Sequence, residues 1–176
     1  IAPKLTVLFP TLVFGGGPNK PLSHLSSGLP LMVKWIGLAR WFKADASFHF
    51  LHAKDIAQLV RHLIDHPPAP NPVAAALDDI FIKQLVLGNP AMTLNQLMQE
   101  CCRYLSKRIY FQVTIAPWLA NFFIKLFRIQ MAPWDRFCMQ YRHFTYQDPI
   151  SPATYGLTPH CATIEDVLRA SGVRQK

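Results

Sequence analysis

The stretch Phe48 to His66, FHFLHAKDIAQLVRHLIDH, allows little besides a short strand running into an amphipathic helix. Phe48, Phe50 and His52 alternate with His49 and Leu51, the period of a half-buried strand. Asp55 has the chemistry of an N-cap, Gln58 can close a capping box, and Ile56, Ala57, Val60, Leu63 and Ile64 fall on one helical face. His66, Pro67 and Pro68 end the helix.

Elements before and after it follow the same logic. Leu5 to Phe9 reads as a buried strand, then Pro10 to Phe14 leads into a turn of Gly15, Gly16, Gly17, Pro18, Asn19, Lys20 and Pro21. That turn has neither the P-loop spacing nor a G-x-G-x-x-G, so ordinary loop chemistry is expected. Leu22 to Phe42 is apolar and interrupted by Gly28, Pro30 and Gly37, which predicts two short helices or a helix with a flap. Its Trp35, Trp41 and Phe42 either line a pocket or pack.

Phe81 to Leu87 is a strand closed by Gly88, Asn89 and Pro90. Thr93 and Gln96 form a capping box for a helix burying Leu94, Leu97, Met98, Cys101 and Leu105. Ile109 to Ile115 alternates like a strand, and Pro117 to Met131 and Ala132 to Phe144 read as helices. Thr163 with Asp166 caps a last helix to Ser171. In Pro117 to Met131 the aromatic face opposes Asn121, Lys125 and Arg128, a pattern that suits a membrane interface or packing on a neighbour.

Composition narrows the partners. Half of the 176 residues are apolar, enough for a packed core, and the net charge of +8 comes from scattered Lys and Arg without the basic and aromatic interleaving of a nucleic-acid surface. No apolar run reaches the roughly 18 to 20 residues of a membrane span. Cys101, Cys102, Cys138 and Cys161 lack C-x-x-C pairing, so reduced thiols of a cytoplasmic protein are expected. His49, His52, His62 and His66 fall in one unit, but a zinc helix would need Glu where Leu63 stands, and no metal is expected. The chain enters a buried strand almost at Ile1, from which a missing N-terminal portion is inferred.

Four segments now stand in a telling order. Pro10-Thr11-Leu12-Val13-Phe14-Gly15 resembles the R-P-x-x-V-Y-G segment of extended short-chain dehydrogenase/reductases, the NAD-dependent epimerase/dehydratase superfamily. Phe50 to Ala57 looks like its F-x-H-V-x-D-V-A segment. Leu87-Gly88-Asn89-Pro90 with Thr93 and Leu97 fits the segment that follows. Tyr155-Gly156-Leu157-Thr158-Pro159, with Thr163 to Leu168, is similar to the C-terminal L-G-[WF]-x-P motif and the helix after it.

The resemblance implies an α/β fold: the end of a doubly wound, Rossmann-like sheet with a substrate-loop insertion over 1–90, then a small, mostly helical substrate-binding region over 91–176, the N-terminal half lying outside this chain. It implies NAD or NADP as cofactor, contacted here by Pro10, Thr11, Leu12 and Val13. Gly16, Gly17, Asn19, Trp35 and His52 would lie near the substrate. Phe9 replaces the family's Arg, which could bind a charged or sugar group, and Phe14 its Tyr; the expected pocket is apolar and aromatic, so an apolar or isoprenoid-like substrate is expected rather than a nucleotide sugar.

No catalytic residue carries over, because the family's Tyr-x-x-x-Lys pair is missing: Tyr104, Tyr110, Tyr141, Tyr146 and Tyr155 are followed at four residues by Arg108, Thr114, Thr145, Ile150 and Pro159. The partners implied are the missing half, a small-molecule substrate, a second copy of the chain, and a membrane surface or membrane complex reached through Pro117 to Met131. A non-catalytic accessory protein of the same fold is the alternative.

Overall fold

The computed structural model describes residues 4–16, 20–67, 81–114, 116–126, 133, 137 and 140–175. It begins with two nearly continuous strands, β1 (Lys4–Pro10) and β2 (Leu12–Phe14). After the turn comes α1 (His24–Ala39), followed by the short strands β3 (Phe42–Lys43), β4 (Ser47–Phe48) and β5 (Phe50–His52). Next are α2 (Ala53–Asp65), β6 (Phe81–Leu87), β7 (Met92–Thr93) and α3 (Leu94–Tyr104). The chain continues through β8 (Val113–Thr114), α4 (Pro117–Leu126) and β9 (His143–Phe144), a 3-10 turn at Pro152–Tyr155, and α5 (Ile164–Ala170).

The β1–β2 segment changes partner at Thr11. β1 pairs in parallel with β6, from Lys4 beside Phe81 to Pro10 beside Leu87, and β2 pairs in parallel with β5, from Leu12 beside Phe50 to Phe14 beside His52. Thr11 N–H donates to Leu87 O (3.0 Å) and Leu12 N–H to His49 O (3.3 Å). Successive N–H groups of a strand point to opposite sides, so β5 and β6 flank the segment on its two edges. The β5–α2–β6 connection is thus a crossover between parallel strands, mixed α/β architecture with α2 on one face: Leu51, Leu59 and Leu87 form a small core there with Leu8, Ile56, Leu85 and Ile150.

The larger core lies where α1, α3 and α5 meet β2 and β5. Phe14, Leu29, Ile36, Phe50, Leu97, Cys101, Val167 and Leu168 are buried together. Phe14 and Phe50 meet edge to face, ring centroids 5.9 Å apart. β4 sits between antiparallel β7 and parallel β9, while β3 and β8 form a separate parallel pair.

Several expectations change. Phe48 to His52 is two strands with different partners, and Phe50, Leu51 and His52 are all buried because both faces of β5 are covered, which erases the alternation. Leu22 to Phe42 contains one helix of 16 residues despite Pro30. Proline there removes one backbone hydrogen bond, but the Ser23 cap and the burial of Leu29 and Ile36 hold both halves in line. The α2 N-cap is His52, not Asp55, whose side chain is drawn to a distant loop; the buried face is Asp55, Leu59 and Leu63, with Ile64 73% exposed. Of the strand expected over Ile109 to Ile115, the described residues hold only the two-residue β8, with Tyr110 and Phe111 exposed. His143 and Phe144, expected to close a helix, pair as β9 beside β4. The end of the helix expected to Met131 and much of the one from Ala132 lie outside the described residues. The capping boxes Thr93/Gln96 and Thr163/Asp166 are both present.

Candidate functional site

Strands β2 and β5 end together, Phe14 beside His52, and ligands of parallel α/β sheets bind beyond such carboxyl ends. Two helices begin at this point. Gly15 N–H donates to Ser26 Oγ in the first turn of α1 (2.8 Å), and Gly15 O accepts from Ser23 N–H (3.0 Å). Gly16 has φ 110°, and a Cβ there would fall 2.6 Å from Leu22 Cα and 2.7 Å from Pro21 O, so only glycine fits. Both backbone groups of Gly15 are thus used within the chain, and Gly15 offers no free N–H to a pyrophosphate. Gly17 and Asn19, expected near the substrate, lie outside the described residues.

Of the expected cofactor contacts, Pro10 is exposed and Leu12 and Val13 are half-buried. Thr11 stands at the joint between β1 and β2, packed on Gly88: a Cβ on that glycine would lie 3.0 Å from Thr11 Oγ1 and 3.0 Å from His49 Cβ. Thr11 Oγ1 is buried and has no hydrogen-bond partner among the described residues. Trp35 is 54% exposed on α1, whose buried residues are Ser26, Leu29 and Ile36, with Lys34 Nζ 5.9 Å from its ring centroid.

His52 does stand at the strand end, buried, its Nδ1 accepting from Lys54 N–H (3.2 Å). Around it gather residues that the sequence does not connect. His160 lies with its ring centroid 4.9 Å from that of His52. The Asp55 carboxylate, fully buried, accepts from the backbone N–H of His160 through Oδ1 and from that of Cys161 through Oδ2 (3.1 Å). One donor atom from each of His52, His160 and Cys161 lies within 4.8 Å of the other two. Some 100 residues of chain separate His52 from this loop, so no local motif announces the group.

Electrostatics favour the neutral forms of His52 and Cys161. Desolvation pulls the His52 imidazole below its ordinary value, the adjacent His160 adds to this, Asp55 opposes it, and Lys54 lowers it further. The Cys161 thiol is pushed up to about 12 by burial, then by the Asp55 and Asp166 carboxylates, with Lys54 acting the other way. The other histidines do not join. His49 is buried with Nδ1 2.8 Å from Asn89 O, while its Nε2 accepts from Tyr146 N–H (3.0 Å). His62 stacks on His66 and lies against Tyr155.

No protein-family model matches the chain, and a search of curated proteins finds no match. Solved structures do resemble it. The crystal structure of gox2253 has a TM-score of 0.52 at 12% identity over 97% of this chain, and dTDP-glucose 4,6-dehydratase from Bacillus anthracis str. Ames, solved in complex with NAD, has 0.48 at 10% over 96%. This chain spans 50% and 43% of those two chains. The likeness to gox2253 is one of fold.

Proposed function

We propose that this chain is the substrate-side part of an NAD(P)-dependent epimerase, dehydratase or reductase of the extended short-chain dehydrogenase/reductase type, acting on an apolar or isoprenoid-like substrate. The observation that carries the reading is the joint ending of parallel β2 and β5 at Phe14 and His52, with Gly15 and Gly16 immediately beyond. The four motif resemblances fall on this frame: Pro10 to Gly15 spans β2, Phe50 to Ala57 spans β5 and the start of α2, Leu87 to Pro90 leaves the end of β6 for the Thr93 cap of α3, and Thr163 caps α5.

The nicotinamide, when bound, accepts or supplies hydride. The residues of this chain would shape and dry the pocket: Pro10 and Thr11 at one end of the cofactor, Phe14 and Phe50 as an apolar wall, His52 at the floor. Acid–base chemistry would belong to a Tyr and Lys outside this sequence. Equilibrium dialysis of the protein from its native source against NADH and NADPH tests this. Saturable binding of one of them is expected; no binding of either overturns the enzyme reading.

A second reading, an accessory protein of this fold docked on a membrane surface, draws on α4, where Trp118 is 70% exposed and Phe122, Lys125 and Leu126 are exposed too. No helix among the described residues is long and apolar enough to cross a membrane, so the contact would be interfacial. Flotation with anionic liposomes, lost on Trp118→Ser with Phe122→Ser, is the expected result; unchanged flotation removes it.

A further inference from the structure

We propose that His52, His160 and Cys161 form a site for one zinc-type divalent cation, bound by two imidazole nitrogens and a thiolate, with a fourth position open to solvent. Three donors of the types such an ion prefers converge within 4.8 Å, drawn from a strand end and a distant loop. Their convergence is built in. Asp55, in the first turn of the helix that His52 caps, pins the backbone of both His160 and Cys161 through its two carboxylate oxygens, the kind of outer contact that orients metal ligands. His52 and Cys161 are buried while His160 is exposed, so the group lies at the border of the buried interior.

Charge balance favours occupancy. One thiolate and the neighbouring Asp55 carboxylate together neutralise a dication, whereas without the ion a thiolate beside Asp55 would be a second buried anion. On binding, the Sγ–metal bond forms as the thiol proton leaves to solvent. Tetrahedral coordination at about 2.0 to 2.3 Å sets donors about 3.3 to 3.8 Å apart, so the group closes by about 1 Å around the ion, a movement the exposed His160 ring can make. His52 exchanges its role. An ion at Nδ1 replaces the Lys54 N–H, and an ion at Nε2 requires the ring proton on Nδ1, where it faces that same N–H; either way the long 3.2 Å cap bond is given up.

Cobalt(II) added to the full chain under reducing conditions is the probe. A near-ultraviolet thiolate-to-cobalt charge-transfer band, the visible bands of a four-coordinate ion, a stoichiometry of one, and displacement by zinc are expected. Cys161→Ser should abolish the charge-transfer band, and His160→Ala, at an exposed position that leaves the core intact, should weaken binding about tenfold or more. Absence of the band in the parent protein, the same band in Cys161→Ser, or unchanged affinity in His160→Ala overturns the site. Should Cys161→Ser fail to fold, the His160→Ala affinity decides alone.

Discussion

Asp55 and Cys161, 106 positions apart, are joined by a hydrogen bond of 3.1 Å from the Cys161 backbone N–H to Asp55 Oδ2, both residues fully buried. The same carboxylate holds His160 N–H, so one side chain fastens the loop before α5 onto the start of α2. Replacing it leaves one buried N–H group, that of Cys161, and one part-buried N–H group, that of His160, without their acceptor. Asp55→Ala is expected to destabilise the protein by about 3 kcal/mol and Asp55→Asn by somewhat less, since the amide keeps one oxygen. Urea unfolding measures both; a loss below about 0.5 kcal/mol for Asp55→Ala would show that water takes over the two donors.

Thr11→Val should behave in the opposite way. The hydroxyl it removes is buried and unpaired among the described residues, and valine has nearly the same shape. Stability is expected to hold or rise by up to about 1 kcal/mol. A clear loss of stability would mean that Oγ1 has a partner in the folded protein.

Gly88 and Thr11 should be coupled. A Cβ on Gly88 meets Thr11 Oγ1 at 3.0 Å and Thr11 Cγ2 at 3.2 Å, so Gly88→Ala is expected to destabilise by about 1 to 3 kcal/mol. Thr11→Ala opens that space. In a double-mutant cycle the pair should recover about 1 kcal/mol of the sum; strict additivity would place the strain against His49 instead.

The Cys101 thiol is pushed up to about 12 by burial, then by its neighbours Cys102 and Glu100. A proton held more tightly in the folded state stabilises it fully below the ordinary thiol value of 9.0, and that stability is lost as pH rises from there towards 12. Under reducing conditions, unfolding free energy should therefore fall more steeply across this window for the parent protein than for Cys101→Ala. Parallel pH profiles would show that Cys101 does not ionise on unfolding.

Local chemistry was readable wherever it was decided locally. The Thr93/Gln96 and Thr163/Asp166 boxes form as spaced, because each needs only three residues of separation. The same rule misplaces the start of α2. Asp55 has a cap's chemistry, but its carboxylate serves His160 and Cys161 from the third helical position, and His52 caps in its place. Pro30 predicts a break that the burial of Leu29 and Ile36 overrides. The place of His52 at a strand end is legible in the sequence, whereas the nearness of His160 and Cys161 to it is not, since the fold alone makes it.

The change of partner at Thr11 has a consequence for handling the chain in solution. β1 is paired along one edge by β6, and on its face Leu5 and Phe9 are each about half exposed among the described residues. Beyond Pro10 the opposite edge is taken by β5, but along β1 itself no described strand occupies it. A strand whose second edge is unpaired among the described residues, with an apolar face beside it, can recruit further strands. Held alone at high concentration, the polypeptide should grow turbid through intermolecular β-pairing that starts at this strand, and a lysine at Leu5 should keep it clear.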